Sequence, residues 1–295
     1  MAYRTTWRWM FWSTSIFQAI MIAVSFPSFH ETYAPTILAR RAAKLRKDTN
    51  DQRYYTEHER AMAQRSLISI LGQALTRPLR LLAFHPVIQI TGMISAAEYG
   101  ILYIVLATFA DLWTKQYHQS VEISGLHYLA CALGELAGTQ IAAPIMDRYY
   151  RRIRARHPDG ELTPEHRIPL SFPGTLVAAI GFVIYGWTSQ YRVHWIAVDI
   201  GIFIALVGMQ FSGLPLQAYT MDAYAAHTSS ALAATQFLRS LTAFLFPLFA
   251  PSMYNAMGYG WANTLVGFLC LVFGATPLVL WFWGAGLRKR AQSTE

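Results

Sequence analysis

VIQITGMISAAEYGILYIVLATFA, residues 87–110, holds a single charge, Glu98, in twenty-four positions. As an α-helix at 1.5 Å per residue it is about 36 Å long, enough to cross a hydrocarbon core of roughly 30 Å. A soluble strand is three to four times shorter and alternates polar with apolar side chains, and this stretch does neither. It reads as a membrane-spanning helix.

Working outward, the same pattern recurs. Residues 10–29 and 168–191 carry no charge, 123–146 carry only Glu135, and 195–221 carry only Asp199. Between Asp222 and Arg288 the sole charge is Arg239. That stretch is too long for one span, and Pro247, Pro251, Asn255, Gly258 and Gly260 break it near its middle. It divides into a sixth span over 229–249 and a seventh over 261–283. The expectation is an all-α membrane protein of about seven transmembrane helices.

Composition agrees. Of 295 residues, 54% are hydrophobic and 14% charged, against roughly 25% charged in soluble domains. The mean hydropathy is +0.27. The net charge of +8 does not read as nucleic-acid binding, because the cations sit in short blocks between apolar runs. Residues 38–85 hold ten Lys/Arg, 147–167 hold six and 288–295 hold three, whereas the other side has Arg4, Arg8, Lys115 and Arg192. The positive-inside rule then puts the N-terminus outside and the C-terminus in the cytosol of a multi-pass protein. Eight tryptophans, Trp7, Trp9, Trp12, Trp187, Trp195, Trp261, Trp281 and Trp283, fall at span ends, where interfacial anchors belong.

Four regions result: 1–37, the first span and its flanks; 38–85, a basic cytosolic loop; 86–287, six spans; and 288–295, a cytosolic tail. No cleavable signal peptide is expected, since 10–29 is too long for a signal h-region. Within the loop, 57–75 show helical periodicity, with Leu67, Ile70, Leu71 and Leu75 on one side and Glu59, Arg60 and Arg65 elsewhere. This reads as a helix lying along the inner leaflet, the alternative being a solvated linker.

Ionisable residues inside a bilayer cost several kcal/mol, so each is a functional hypothesis. Glu98, beside Tyr99 and Tyr103, is the leading proton- or cation-binding carboxylate; a helix-packing hydrogen bond is the plainer reading. Glu135 lies between Gly134 and Gly138, whose small size favours close helix approach, so packing competes strongly. Arg239, one turn after Gln236, needs an anionic partner, with Glu135 a possible mate, or else contacts substrate. Asp199, four residues after Trp195, is expected to reach solvent at the outer interface. Cys131 and Cys270 lie in apolar runs and read as small packing residues. No zinc spacing and no G-x-x-x-x-G-K-[ST] loop occurs, so no metal, no cofactor and no enzymatic activity are expected. Any transport draws on an ion gradient or runs downhill.

Several segments resemble a known family. Thr6-Trp7-Arg8-Trp9-Met10-Phe11-Trp12 resembles the G-W-R-W-x-F-W before the sixth span of fungal drug:proton antiporters of the major facilitator superfamily. Glu31-Thr32-Tyr33-Ala34-Pro35-Thr36-Ile37-Leu38-Ala39-Arg40-Arg41-Ala42 is similar to the E-T-Y-x-P-x-L-L-x-x-[RK]-A that comes after that span. Arg77-Pro78-Leu79-Arg80-Leu81-Leu82 resembles the entry to span seven, and Pro164-Glu165-His166-Arg167-Ile168-Pro169-Leu170 the P-E-x-R-L-P before span nine. Arg239-Ser240, Phe246-Pro247-Leu248-Phe249-Ala250-Pro251, Met253-Tyr254 and Gly258-Tyr259-Gly260-Trp261 look like span eleven and its exit.

The resemblance covers spans six to twelve, the C-terminal six-helix half plus one preceding helix. It implies efflux of a drug, toxin or secondary metabolite by proton antiport at the plasma membrane. The partners it implies are the lipid bilayer, a small-molecule substrate and protons, with no nucleic acid. Asp147-Arg148-Tyr149-Tyr150-Arg151-Arg152 resembles the second copy of the D-R-x-x-R-R loop, so Asp147, Arg148, Arg151 and Arg152 are candidates for a conformational lock; a positive-inside anchor is the alternative. Alternating access needs two bundles about a central site. Seven spans read as a truncated product, inactive alone or partnered by the missing N-terminal half or a full-length relative. Two rivals stand beside it: a non-transporting fragment, and a seven-span receptor, prompted by Asp147-Arg148-Tyr149 closing the third span. Helix packing discriminates, since a transporter half forms two inverted three-helix repeats.

Overall fold

Seven long apolar stretches with no alternating polarity leave the backbone one way to satisfy its own hydrogen bonds in lipid, and that is the helix. The computed structural model describes residues 6–51, 53–57, 59–60, 66–156 and 163–292, and among them there are helices and no strand. The chain forms two units, Met1–Leu75 and Thr76–Glu295.

The first unit contains α1 (Arg8–Ser28) and α2 (Ala34–Thr49). Helix α1 buries none of its residues. Its Trp7, Phe11, Trp12, Phe17 and Phe26 stand exposed, as a lipid-facing helix requires. Helix α2 starts with Pro35 in its first turn and ends at Asn50 in the left-handed conformation (φ 49°). Arg46 ties α2 to residues 54–59, donating to the Tyr54 carbonyl (2.9 Å) and to Glu59 (3.1 Å). Thr56 and Glu59 form a reciprocal capping box: the Glu59 amide donates to Thr56 Oγ1 (3.2 Å) and the Thr56 amide to Glu59 Oε2 (3.0 Å). The Arg46 hydrogen bond, with the Thr56 amide behind it, holds the Glu59 carboxyl below its usual range. The helix expected over 57–75 begins at this box; 61–65 lie outside the described residues. Helix α3 (Leu67–Phe84) runs across the division between units, and Ile68, Leu71 and Leu75 are exposed on it.

The second unit contains α4 (Pro86–Asp111), closed by a π turn (Leu112–Gln116), then α5 (Val121–Arg156). A 3-10 turn (Pro164–Leu170) leads into α6 (Ser171–Gln190), followed by α7 (Trp195–Ala223), α8 (Thr228–Ala275) and α9 (Pro277–Gln292). Among the described residues six helices are long and apolar enough to cross a membrane, the last being Thr228–Arg288 at 61 residues. At 1.5 Å per residue that is roughly 90 Å, three times the core thickness. It divides at Gly258, whose φ of 72° and ψ of 171° suit only glycine. Two limbs result, 228–257 and 259–275, the second continued by α9. The expected division is therefore present, but at Gly258 alone. Pro247 and Pro251 stay inside the helix, because each removes only one backbone donor and neighbouring helices support the gap.

The packing of this unit has an internal two-fold pattern. Helix α4 packs on the first limb of α8, α5 on α7, and α6 on both α7 and the second limb of α8. Taking α4, α5, α6 as one set and α7 with the two limbs as the other, three pairs are first-with-second, second-with-first and third-with-third; the fourth, α6 with α7, is third-with-first, and its counterpart is α9, the continuation of the second limb, against α4. Exchanging the sets leaves that pattern unchanged, and three spans per set invert the second relative to the first. This is the discriminating arrangement expected of a transporter half.

Small residues bring the backbones close. A β-carbon at Gly134 or Gly138 would lie 2.9 Å from the carbonyl oxygens of Phe203 and Val207, so α5 touches α7 where the sequence placed a close approach. Large apolar side chains point outward instead: Leu129, Leu133 and Leu136 on α5, Leu176 and Ile180 on α6, and Phe244 and Leu248 on α8 are each more than half exposed. Such a surface suits hydrocarbon and not water.

Candidate functional site

The two-fold pattern leaves a cavity of about 560 Å³ between α4, α5, α7 and the first limb of α8. Of the six residues singled out as substrate or proton contacts, Glu98, Tyr99, Glu135, Gln236 and Arg239 line it. Tyr103 does not; it is exposed one turn beyond Tyr99, with ring centroids 5.5 Å apart.

Glu98 is half-buried and held. Ser212 on α7 donates its hydroxyl to Glu98 Oε1 at 2.8 Å, and the Thr175 hydroxyl on α6 lies 3.1 Å behind Ser212. A chain of two hydroxyls thus runs from the carboxylate into the helix interface. Gly213 opens the other side, since a β-carbon there would stand 3.3 Å from Glu98 Oε2. The position of α4 is fixed nearby by Thr242, which donates to the Ala96 carbonyl at 2.7 Å.

Arg239 is placed differently from expectation. Its guanidinium lies over the Tyr99 ring, 3.9 Å from the centroid. Among the described residues no carboxylate comes within ion-pair distance of it, so the pairing considered with Glu135 is not formed. The Tyr99 face supplies the negative potential instead. Arg239 and Glu98 line the same cavity. The cavity therefore presents two carboxylates, a guanidinium and the amides of Gln210, Gln217 and Gln236 to one space.

Two expectations need correcting. Asp199 does not extend to solvent: its Oδ2 lies 2.8 Å from His127 Nδ1, and its side chain is 16% exposed. A histidine 72 positions away supplies a nearer partner than water. The Asp147–Arg152 run is not a loop but the continuation of α5, which ends at Arg156. Asp147, Arg148, Arg151 and Arg152 are exposed there, and among the described residues none forms an ion pair; Arg151 Nε donates to the Asp147 carbonyl (3.3 Å).

The ion pairs at that end are elsewhere. Arg167 meets Asp222 at 2.7 Å and stacks over Tyr150 at 4.5 Å. Arg288 meets the buried Glu165 at 2.8 Å, joining α9 to the 3-10 turn.

Sequence reasoning missed Ser212, Thr175 and His127. A hydroxyl among many in apolar helices carries no distinguishing mark. His127 and Asp199 had one: each stands near the start of its span, on the same predicted side of the membrane.

Residues 1–247 match the profile of the Major Facilitator Superfamily. The chain is 47% identical over 291 residues to "Probable efflux pump mfs2" of Aspergillus flavus, covering 98% of this chain and 68% of that protein. It is 38% identical to "Uncharacterized transporter C1529.01" of Schizosaccharomyces pombe, covering 96% of this chain and 57% of that protein. With "Efflux pump vrtL" of Penicillium aethiopicum the identity is 37%, covering 98% of this chain and 56% of that protein. The chain thus spans between about half and two thirds of the length of these relatives. No solved structure matches it.

Proposed function

Because this chain belongs to the Major Facilitator Superfamily, whose relatives are transporters and not enzymes, we propose that it supplies the cavity-bearing half of an efflux pump. In this reading a small organic molecule is exported in exchange for protons. The observation that carries it is that Glu98 and the Arg239 guanidinium, which meets no carboxylate at ion-pair distance among the described residues, line one cavity of a bilayer-embedded bundle. A carboxylate that can gain and lose a proton next to a fixed cation couples its charge to whatever else enters the space.

The pump reading places the protein in the plasma membrane, with residues 38–85 and 147–167 in the cytosol. The apolar side of α3 then lies against the inner leaflet, its Ile68, Leu71 and Leu75 covered by lipid. The exposed Asp147, Arg148, Arg151 and Arg152 face a partner bundle and serve as its lock. The family match displaces the receptor reading of Asp147-Arg148-Tyr149.

The chain co-reconstituted in proteoliposomes with the N-terminal half of the 47% identical Aspergillus flavus relative tests the function, with rhodamine 6G as the probe. An imposed pH gradient is expected to drive dye across the membrane, and a protonophore to stop it. Dye movement indifferent to both would overturn proton antiport.

A further inference from the structure

Away from the cavity, at the end of the bundle formed by the turns at 117–120 and 191–194, a histidine is enclosed on every side. His127 is 6% exposed. Its Nδ1 lies 2.8 Å from Asp199 Oδ2 and its Nε2 lies 2.8 Å from Gln119 Oε1. A carboxylate oxygen and an amide oxygen are both acceptors, so a ring bonded to both carries a proton on each nitrogen. The Trp113 ring lies flat against it, with centroids 3.5 Å apart and planes 6° from parallel, and Trp195 meets it edge-on at 5.7 Å. The face of an indole is where a cation is stabilised.

Asp199 Oδ1 is buried without a hydrogen-bond partner among the described residues, and His127 is the basic group at ion-pair distance from its carboxylate. The other titratable groups facing the pair are few. Tyr117, in the turn after α4, donates to the Val193 carbonyl at 2.7 Å; Arg192, in the turn before α7, acts on Tyr117 together with Asp199. The His194 ring meets Trp195 tilted, with centroids 5.4 Å apart, and Cys131 lies one turn along α5. Lys115 is spent on Asp111 at 2.8 Å.

We propose that His127 and Asp199 form a proton-binding site of their own, separate from the Glu98 cavity, whose imidazolium clamps α5 to α7 and to the turn after α4. Glu135, the nearest cavity carboxylate on α5, is eight residues away, roughly 12 Å along the helix. Losing the proton requires only that the Gln119 amide turn over, so that its NH2 donates to Nε2. Asp199 is then left charged and unbalanced in an apolar shell, which loosens the clamp. The clamp therefore holds while the ring is charged and loosens when the ring is neutral. The inference stands whether or not the chain transports.

The full chain labelled with 15N-histidine, in lipid nanodiscs, tests it. His127→Gln identifies the signals of this ring among the nine histidines. In the wild type at neutral pH the two ring nitrogens are expected to resonate close together, as in an imidazolium, and to split on raising the pH. Asp199→Asn is expected to split them already at neutral pH and to lower the melting temperature there, the difference from wild type reversing at high pH, where only the wild type carries an unbalanced carboxylate. If His127→Gln does not fold, the signals moved by Asp199→Asn serve for assignment. A split, singly protonated His127 in the wild type at neutral pH, or signals untouched by Asp199→Asn, would overturn the proposal.

Discussion

Glu98→Gln is expected to lower proton-driven dye movement by about 100-fold or more, the scale on which a positioned proton-transfer group contributes. The substitution keeps what holds the side chain in place. Glutamine presents the same acceptor to the Ser212 hydroxyl that Glu98 Oε1 does at 2.8 Å, with nearly the same volume. The capacity to ionise is lost. Stability should therefore change by less than about 1 kcal/mol, and the protein should remain folded in detergent. Ser212→Ala makes the opposite change, removing the hydrogen bond while keeping the carboxylate, and should retain most of the flux. Equal flux in wild type and Glu98→Gln would remove Glu98 from the coupling.

Gly208→Leu is expected to destabilise the folded chain by about 3 kcal/mol, roughly a hundredfold in the folded ratio, the upper part of the range for overpacking. A β-carbon at Gly208 would collide with the Ala178 amide nitrogen and stand 2.7 Å from both the Ala178 Cα and the Gly174 carbonyl oxygen. These are backbone atoms, so no rotamer relieves the contact; α6 and α7 must move apart. That separation reaches the site, because Thr175 and Ser212, which stand behind Glu98, bridge the same two helices at 3.1 Å. Loss of the monodisperse peak on size exclusion, or a large fall in melting temperature, would record it. A variant that melts with the wild type would show that the two helices are not packed this closely.

The spans were legible because lipid imposes a single requirement, about twenty apolar residues, that composition displays directly. Glu98 was legible for the same reason: a lone charge in an apolar run stands out. Its supports were not. Ser212 and Thr175 look like any hydroxyls in a helix, and only packing shows that Ser212 meets a carboxylate 114 positions away with Thr175 behind it. Charge complementarity pointed Arg239 toward Glu135, whereas the helices bring it over Tyr99. The break in the last long stretch was read from Pro247, Pro251, Asn255, Gly258 and Gly260 together, and of these the backbone turns at Gly258, whose positive φ favours glycine. Depth along the helix could have paired Asp199 with His127, but which helices are neighbours is set by the two-fold packing and not by chain order.

A water-filled cavity inside a bundle whose outer surface lies in lipid is the central claim. In a background of Cys131→Ser and Cys270→Ser, single cysteines at Gln236 and Leu133 read the two surfaces with a membrane-impermeant thiol reagent. Gln236 lines the cavity and Leu133 points outward at 56% exposure. Rapid labelling at 236 with none at 133 is predicted; labelling at 133 with protection at 236 would contradict the claim.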